Sequence, residues 1–187
     1  MKKKGFTLAE VLVVVLIVAV LAGIAYPSYQ ASVWTARVGK FLPLGRHLVQ
    51  QSQLYYEEQG SYPTTKEMDA FIPGEFSIQE EALPEIDQIA VSWENGEVSL
   101  YCANGEETPA DCRLVGLSIK GKGWTDYLVL FFNARQDSQS TDDIFSHRIA
   151  CVASRFLPAK ENALTHKICR GLGGKLAEDS SVIYYID

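Results

Sequence analysis

Four cysteines, Cys102, Cys112, Cys151 and Cys169, and three histidines, His47, His147 and His166, are the soft ligands and nucleophiles of this chain. Cys151, His166 and Cys169 are of zinc-ligating type, but their spacing matches no familiar finger. Residues 136–143, QDSQSTDD, offer enough oxygen atoms for calcium yet lack the glycine and terminal glutamate of an EF-hand loop, and they read as a solvated polar loop. His47 falls on a helix pattern, where a surface or packing role is ordinary. Neither His147 nor His166 stands with a serine or cysteine in a readable nucleophile and base pair. The sequence has no phosphate-cradling glycine loop, no GxSxG and no HExxH. No catalytic residue, metal site or cofactor is therefore expected.

Glu10 is the other residue that demands chemistry. It is the only charge in residues 6–26, FTLAEVLVVVLIVAVLAGIAY, and Thr7 is the only other polar side chain before the final tyrosine. As a helix this run covers about 30 Å, the thickness of a bilayer core. Three lysines precede it, which hold that end in the cytoplasm. A cleavable secretory signal fits poorly, because the apolar stretch is too long and no A-x-A site follows. A plain signal anchor fits the length but leaves the intramembrane acid unexplained. Such an acid needs a partner, and a free α-amino group on a neighbouring chain would be one.

The order Gly5, Phe6, Thr7, Leu8, Ala9, Glu10, behind a basic leader and ahead of VLVVVLIVAVLAGIA, resembles the class III signal of type IV pilins and pseudopilins. The resemblance covers some 25 residues. It implies cleavage between Gly5 and Phe6 by a prepilin peptidase, N-methylation of Phe6, and a role for Glu10 in assembly. Removing the three leader lysines from seventeen basic side chains leaves fourteen against twenty-three acids, a formal charge of −9 before the new amine is counted. In a filament the apolar helices pack away from water, where the Glu10 carboxylate can pair with the Phe6 amine of an adjacent subunit and set the assembly register.

Residues 1–5 thus read as leader, 6–26 as a transmembrane or filament-core helix, 27–59 as an amphipathic helix, 60–88 as a connecting loop and 89–187 as the head. Gly23 and Pro27 predict a kink or local melting of the helix, since proline removes an N–H and clashes one turn back. Beyond it Val33, Val38, Phe41, Leu44, Leu48, Leu54 and Tyr55 recur at helical spacing, with Arg37, Lys40, Arg46 and Gln50 between them. Pro43 should bend or end that helix near Gly39. Gly60 and Pro63 should stop it, by a left-handed cap and a barred resumption.

From residue 89 the apolar period becomes two. Strands are predicted at 89–93, 98–102, 113–120, 124–132, 147–153 and 182–186. Glu94-Asn95-Gly96-Glu97 carries the Asn-Gly favoured in type I′ hairpins, and Gly121-Lys122-Gly123 reads as a turn. One long helix followed by a run of strands gives an α+β fold, with an antiparallel sheet laid on the helix. A head displayed outside the cytoplasm favours disulfides. Three connectivities are possible, and local pairing, Cys102 with Cys112 and Cys151 with Cys169, is preferred. The second loop has a helical pattern over 158–168 and resembles the disulfide-bounded loop of many pilins.

These readings point to a pilin: a structural subunit that assembles with copies of itself and other pilins, is handled by the prepilin peptidase and the inner-membrane pilus assembly machinery, and lies in the inner membrane before it reaches an extracellular pilus. A pseudopilin of a type II secretion system or a minor pilin is the alternative of the same architecture. An uncut, signal-anchored protein with a binding head is the alternative of another class. With 47% hydrophobic and 21% charged residues the chain is globular rather than disordered, and its net charge of −6 speaks against a nucleic-acid coat.

Overall fold

The computed structural model describes residues 7–74, 76, 78–79, 88–102, 112–124, 127–134, 149–153, 164–178 and 180–186. Helix α1, Leu8–Gly39, opens on a capping box at Thr7 and runs through Gly23 and Pro27 without leaving the helical conformation. Lys40 stands in a turn, and α2, Phe41–Gln59, follows. Pro43 explains the break. Its ring clashes with the carbonyl of Gly39, whereas in the first turn of a new helix its missing N–H has no partner to lose. Gly60 closes α2 at φ 76°, with its N–H on the Tyr56 carbonyl at 2.9 Å.

The segment expected to be loop contains more structure. Thr64 caps a short helix α3, Thr65–Met68, which tightens into a 3₁₀ turn at Asp69–Phe71. The strand β1, Ile78–Gln79, lies at the edge of the sheet. The other strands are β2, Gln88–Val91; β3, Gly96–Cys102; β4, Leu114–Gly121; β5, Leu128–Asn133; β6, Ile149–Ala153; β7, Lys175–Leu176; and β8, Ile183–Tyr185. A helix α4, Leu164–Gly171, precedes β7. The eight strands form one sheet in the order β1-β2-β3-β4-β5-β6-β8-β7, with every pairing antiparallel.

The long helix packed on an antiparallel sheet is the α+β layout that the periodicity predicts. The hairpin chemistry differs. Gly96 does not adopt positive φ, which among the described glycines occurs at Gly60, Gly123 and Gly173. Instead it begins β3 opposite Gly121, where a Cβ would strike the Lys120 carbonyl. Glycine is required there for close strand approach, not for a type I′ turn. The predicted strand over 124–132 starts later, at Leu128, because Trp124 is held in a turn by its N–H on the Gly121 carbonyl at 3.0 Å.

Val38, Phe41, Leu44, Leu48 and Ser52 give the helices one buried face. The four apolar ones meet Leu117, Ile119, Leu128, Leu130 and Phe132 from the sheet in a single core. Full burial of each large apolar side chain contributes about 1.5–3 kcal/mol. Strands β5 and β6 are buried on both faces, which is why LVLFF and IACVA are continuous apolar runs rather than alternating ones. Leu114, Val129, Phe131, Ala150 and Val152 make a second cluster on the face away from the helices.

Candidate assembly helix and its attachment to the head

Leu8–Gln59 is long and apolar enough to cross a membrane, and its most apolar window is wholly unburied within the single chain. The apolar side chains from Leu8 to Ile24 point outward on all sides. A helix that is hydrophobic all round belongs in a bilayer or in the middle of a packed assembly. Tyr26 and Tyr29 follow, both exposed, and Gln30 donates to the Tyr26 hydroxyl at 2.7 Å.

Glu10 sits in the first turn of that segment. Its Oε2 accepts from the Thr7 backbone N–H at 2.7 Å and from the Thr7 hydroxyl at 2.8 Å. The Thr7 hydroxyl oxygen in turn accepts the Glu10 N–H at 3.3 Å. This reciprocal cap satisfies two orphan donors of the helix start, and the Thr-x-x-Glu spacing ahead of an apolar run is its sequence signature. Within one chain the carboxylate is therefore held at the helix tip, facing the end where a residue-6 amine would lie. Gly5 and Phe6 themselves lie outside the described residues. Gly23 and Pro27 lie inside α1, and a side chain at position 23 would meet nothing within 4 Å.

The apolar segment leaves the head at a tightly built junction that the sequence reading did not foresee. The three tryptophans of the chain gather there. Trp34 of α1 packs edge-on against Trp124 at 5.0 Å and against Trp93 at 6.0 Å, and Phe41 meets Trp93 at 5.3 Å. Such pairs add about 0.5–1.5 kcal/mol each beyond the area they bury. Arg37 lies over the Trp34 ring and Lys40 over the Phe41 and Trp93 rings. Helix α4 completes the junction: a Cβ on Gly171 would press on the Thr35 side chain, and the Thr35 hydroxyl donates to the Ala31 carbonyl at 2.8 Å. No local spacing links residues 34, 93 and 124; tertiary folding alone brings them together.

Cys102 is bonded to Cys112, with Cα atoms 4.7 Å apart, and Cys151 to Cys169, 5.7 Å apart. The first bridge is pinned between helices, since the Cys112 carbonyl accepts from the Ser52 hydroxyl at 2.7 Å and the Cys102 N–H donates to Thr65 Oγ1 at 3.3 Å. The second ties β6 to α4. With those sulfurs joined to each other, no thiolate of Cys151 or Cys169 is available to zinc. His166 is buried and its Nδ1 lies 2.9 Å from the Tyr184 hydroxyl. His47 is half-buried on α2. His147 and the oxygen-rich stretch 136–143 lie outside the described residues, and among those described no group of three metal-ligating side chains occurs.

The end of α2 is fastened to α3 by one polar network. Glu67 accepts from the Thr64 N–H and hydroxyl, and also from the Tyr55 hydroxyl at 3.1 Å. Those Thr64 bonds hold the Glu67 carboxyl below the usual range, with a smaller contribution from Tyr55. The bond to Glu67 pushes the Tyr55 hydroxyl up.

Comparison with curated proteins and with solved structures finds no match to this chain. Residues 1–26, which end where the apolar run of α1 ends, match the family described as the prokaryotic N-terminal methylation motif, so the chain carries the class III prepilin signal of type IV pilins and pseudopilins.

Proposed function

We infer that this chain is a structural subunit of a type IV pilus. Prepilin peptidase cuts it between Gly5 and Phe6, Phe6 is N-methylated, and the mature subunit waits in the inner membrane as a single-pass protein with its N-terminus toward the cytoplasm. It then assembles with copies of itself and other pilins through the apolar half of α1, with Glu10 paired to the Phe6 amine of a neighbour. The observation that carries this reading is the apolar helix, unburied in the single chain, that starts at a methylation motif and ends in a rigid junction with a disulfide-bonded head. Copies of the same helix supply the cover that such a surface requires.

Mass spectrometry of the chain in sheared surface filaments and in membranes tests this. A mature chain that begins at methylated Phe6 and is abundant in the sheared material is the expected result. The same species confined to membranes would indicate a pseudopilin or minor subunit, and an uncut chain from Met1 would leave a signal-anchored binding protein.

A further inference from the structure

The end of the head that meets the apolar segment is basic, although the chain as a whole is acidic. Arg37 and Lys40 are exposed there, against the Trp34 and Trp93 rings. Lys122 is exposed in the turn after β4, where a Cβ on Gly121 would strike both Trp34 and Trp124. Lys120 lies over the Tyr127 ring. Arg170 is exposed at the end of α4, next to the Gly171 that packs on Thr35. Two described acids belong to the same end. Glu94 accepts from the Asn95 side chain at 3.1 Å, and Glu97 stands opposite Lys120 across the ladder of β3 and β4. Five cations against two acids leave a local surplus of positive charge.

Charge is also sorted along the helices. No acid occurs from Val11 to Tyr56, and Glu57 and Glu58 then come at the far end of α2, about 30 Å from Arg37. The apolar run fixes where the basic end stands. With Glu10 at the cytoplasmic face, a hydrocarbon core of about 20 helical residues ends near the exposed Tyr29. Tyr26 and Tyr29 then form the aromatic belt expected at that boundary. A headgroup layer of about 5–8 Å reaches Trp34. Arg37 and Lys40 follow at about 4 and 9 Å beyond it, within the Debye length of about 8–10 Å. Basic residues beside the outer end of a span run against the usual bias of Lys and Arg to the cytoplasmic side, so this cluster calls for a partner of its own.

We propose that the basic collar around the Trp34–Trp93–Trp124 junction, led by Arg37, Lys40 and Lys122, rests on the anionic phospholipid headgroups of the bilayer that holds the apolar half of α1. The inference rests on the membrane-anchored stage of the proposed function and names what the head touches during it. Lipid phosphates supply the anions, and the collar lies where the span delivers it, so no second binding event is needed to reach them. The long stems of Arg37 and Lys40 lie along aromatic rings and leave their charged heads to the surface. The contact holds the head upright over the membrane, with the acidic end of α2 turned away from the like-charged surface. Release of the lipid charges is then a step that accompanies entry into a filament.

The test uses the full chain in vesicles of phosphatidylcholine alone and of phosphatidylcholine with phosphatidylglycerol, each with a nitroxide on part of its headgroups. All three tryptophans of the chain lie at the junction, so headgroup quenching of their fluorescence reads how close the junction sits. Quenching should be about twofold stronger in the anionic vesicles at low salt, and about 1 M salt, where the Debye length falls to about 3 Å, should abolish the difference. Arg37→Gln, Lys40→Gln and Lys122→Gln together should abolish it too, whereas Arg37→Lys, Lys40→Arg and Lys122→Arg together should keep it. Each variant is compared with itself in the two lipids, which cancels any change in its intrinsic emission. Equal quenching of the embedded wild-type chain in both lipids, or a lipid difference that survives the glutamine variant, would overturn the contact and leave membrane anchoring intact. A wild-type chain that floats with neither vesicle after a carbonate wash would overturn the anchoring instead.

Discussion

Gly45 lies flat against the ring of Phe132. A Cβ at position 45 would fall inside the van der Waals envelope of that ring, and both residues are buried. This glycine, which in the sequence only weakens a helix pattern, is what lets α2 lie close to β5.

Gly45→Ala is therefore expected to destabilise the head although alanine is the better helix former. Overpacking a fixed site costs about 1–3 kcal/mol, against about 1 kcal/mol gained in helix propensity. Thermal unfolding of the detergent-solubilised chain measures the balance. A second substitution, Phe132→Leu, should recover part of the loss by vacating the space. A Gly45→Ala protein as stable as wild type would show that the ring moves aside freely.

The Cys151–Cys169 bridge closes 18 residues of chain. In the chain-entropy account a loop of that length contributes about 3 kcal/mol. For a chain of this size that corresponds to roughly 6–12 °C in Tm. Cys151→Ala with Cys169→Ala should show a loss of that order by calorimetry, and α4 should become the part most open to proteolysis. An unchanged Tm would mean that α4 is held by its packing and its His166–Tyr184 bond without the bridge.

Much of this architecture was legible in the residues themselves. The membrane-length helix, the stop of α2 at Gly60 and six of the strands follow from charge, glycine and period two. What was not legible depends on contacts between distant parts. α3 and β1 lie in an acidic stretch with no clear period, and α3 exists because Thr64 and Glu67 cap it while Thr65 and Met68 reach the core. Asn95-Gly96 looked like turn chemistry because that dipeptide is the strongest local hairpin signal, yet Gly96 serves a close approach to the Lys120 carbonyl. The Trp34–Trp93–Trp124 junction has no local signature at all. At the assembly segment the opposite holds, since Thr7, Glu10 and the apolar run lie in consecutive turns and can be read directly.

The link from Tyr55 through Glu67 to Thr64 should make the end of α2 sensitive to pH at both extremes. Glu67 has a lowered folded pKa, so its contribution is present above the ordinary glutamate value of 4.5 and is lost as pH falls through the lower, folded value. Tyr55 has a raised folded pKa, so its contribution is present below the ordinary tyrosine value of 10.0 and is lost as pH rises through the higher one. Both groups are largely solvated and the effect is small. Amide exchange at residues 64–68 across pH reads it better than Tm does. Glu67→Gln should remove the acid limb and Tyr55→Phe the alkaline limb. A limb that persists in its variant would assign that titration to another group.

Glu10 performs one task in the single chain and is proposed to perform a second in the filament, and two substitutions separate them. Glu10→Gln keeps a side chain able to accept from the Thr7 N–H and hydroxyl, so the helix cap survives while the charge is lost. Glu10→Ala loses both. If the carboxylate acts through its charge on a neighbour's amine, both variants should still be cut after Gly5 and both should fail to appear in sheared filaments. If it acts through the cap, the glutamine variant should assemble and the alanine variant should not. N-terminal sequencing of the membrane-bound chain reports the cleavage, and immunoblotting of the sheared fraction reports assembly. Normal filaments from the glutamine variant would remove the charge-pairing account and leave Glu10 a residue that fixes the first turn of α1.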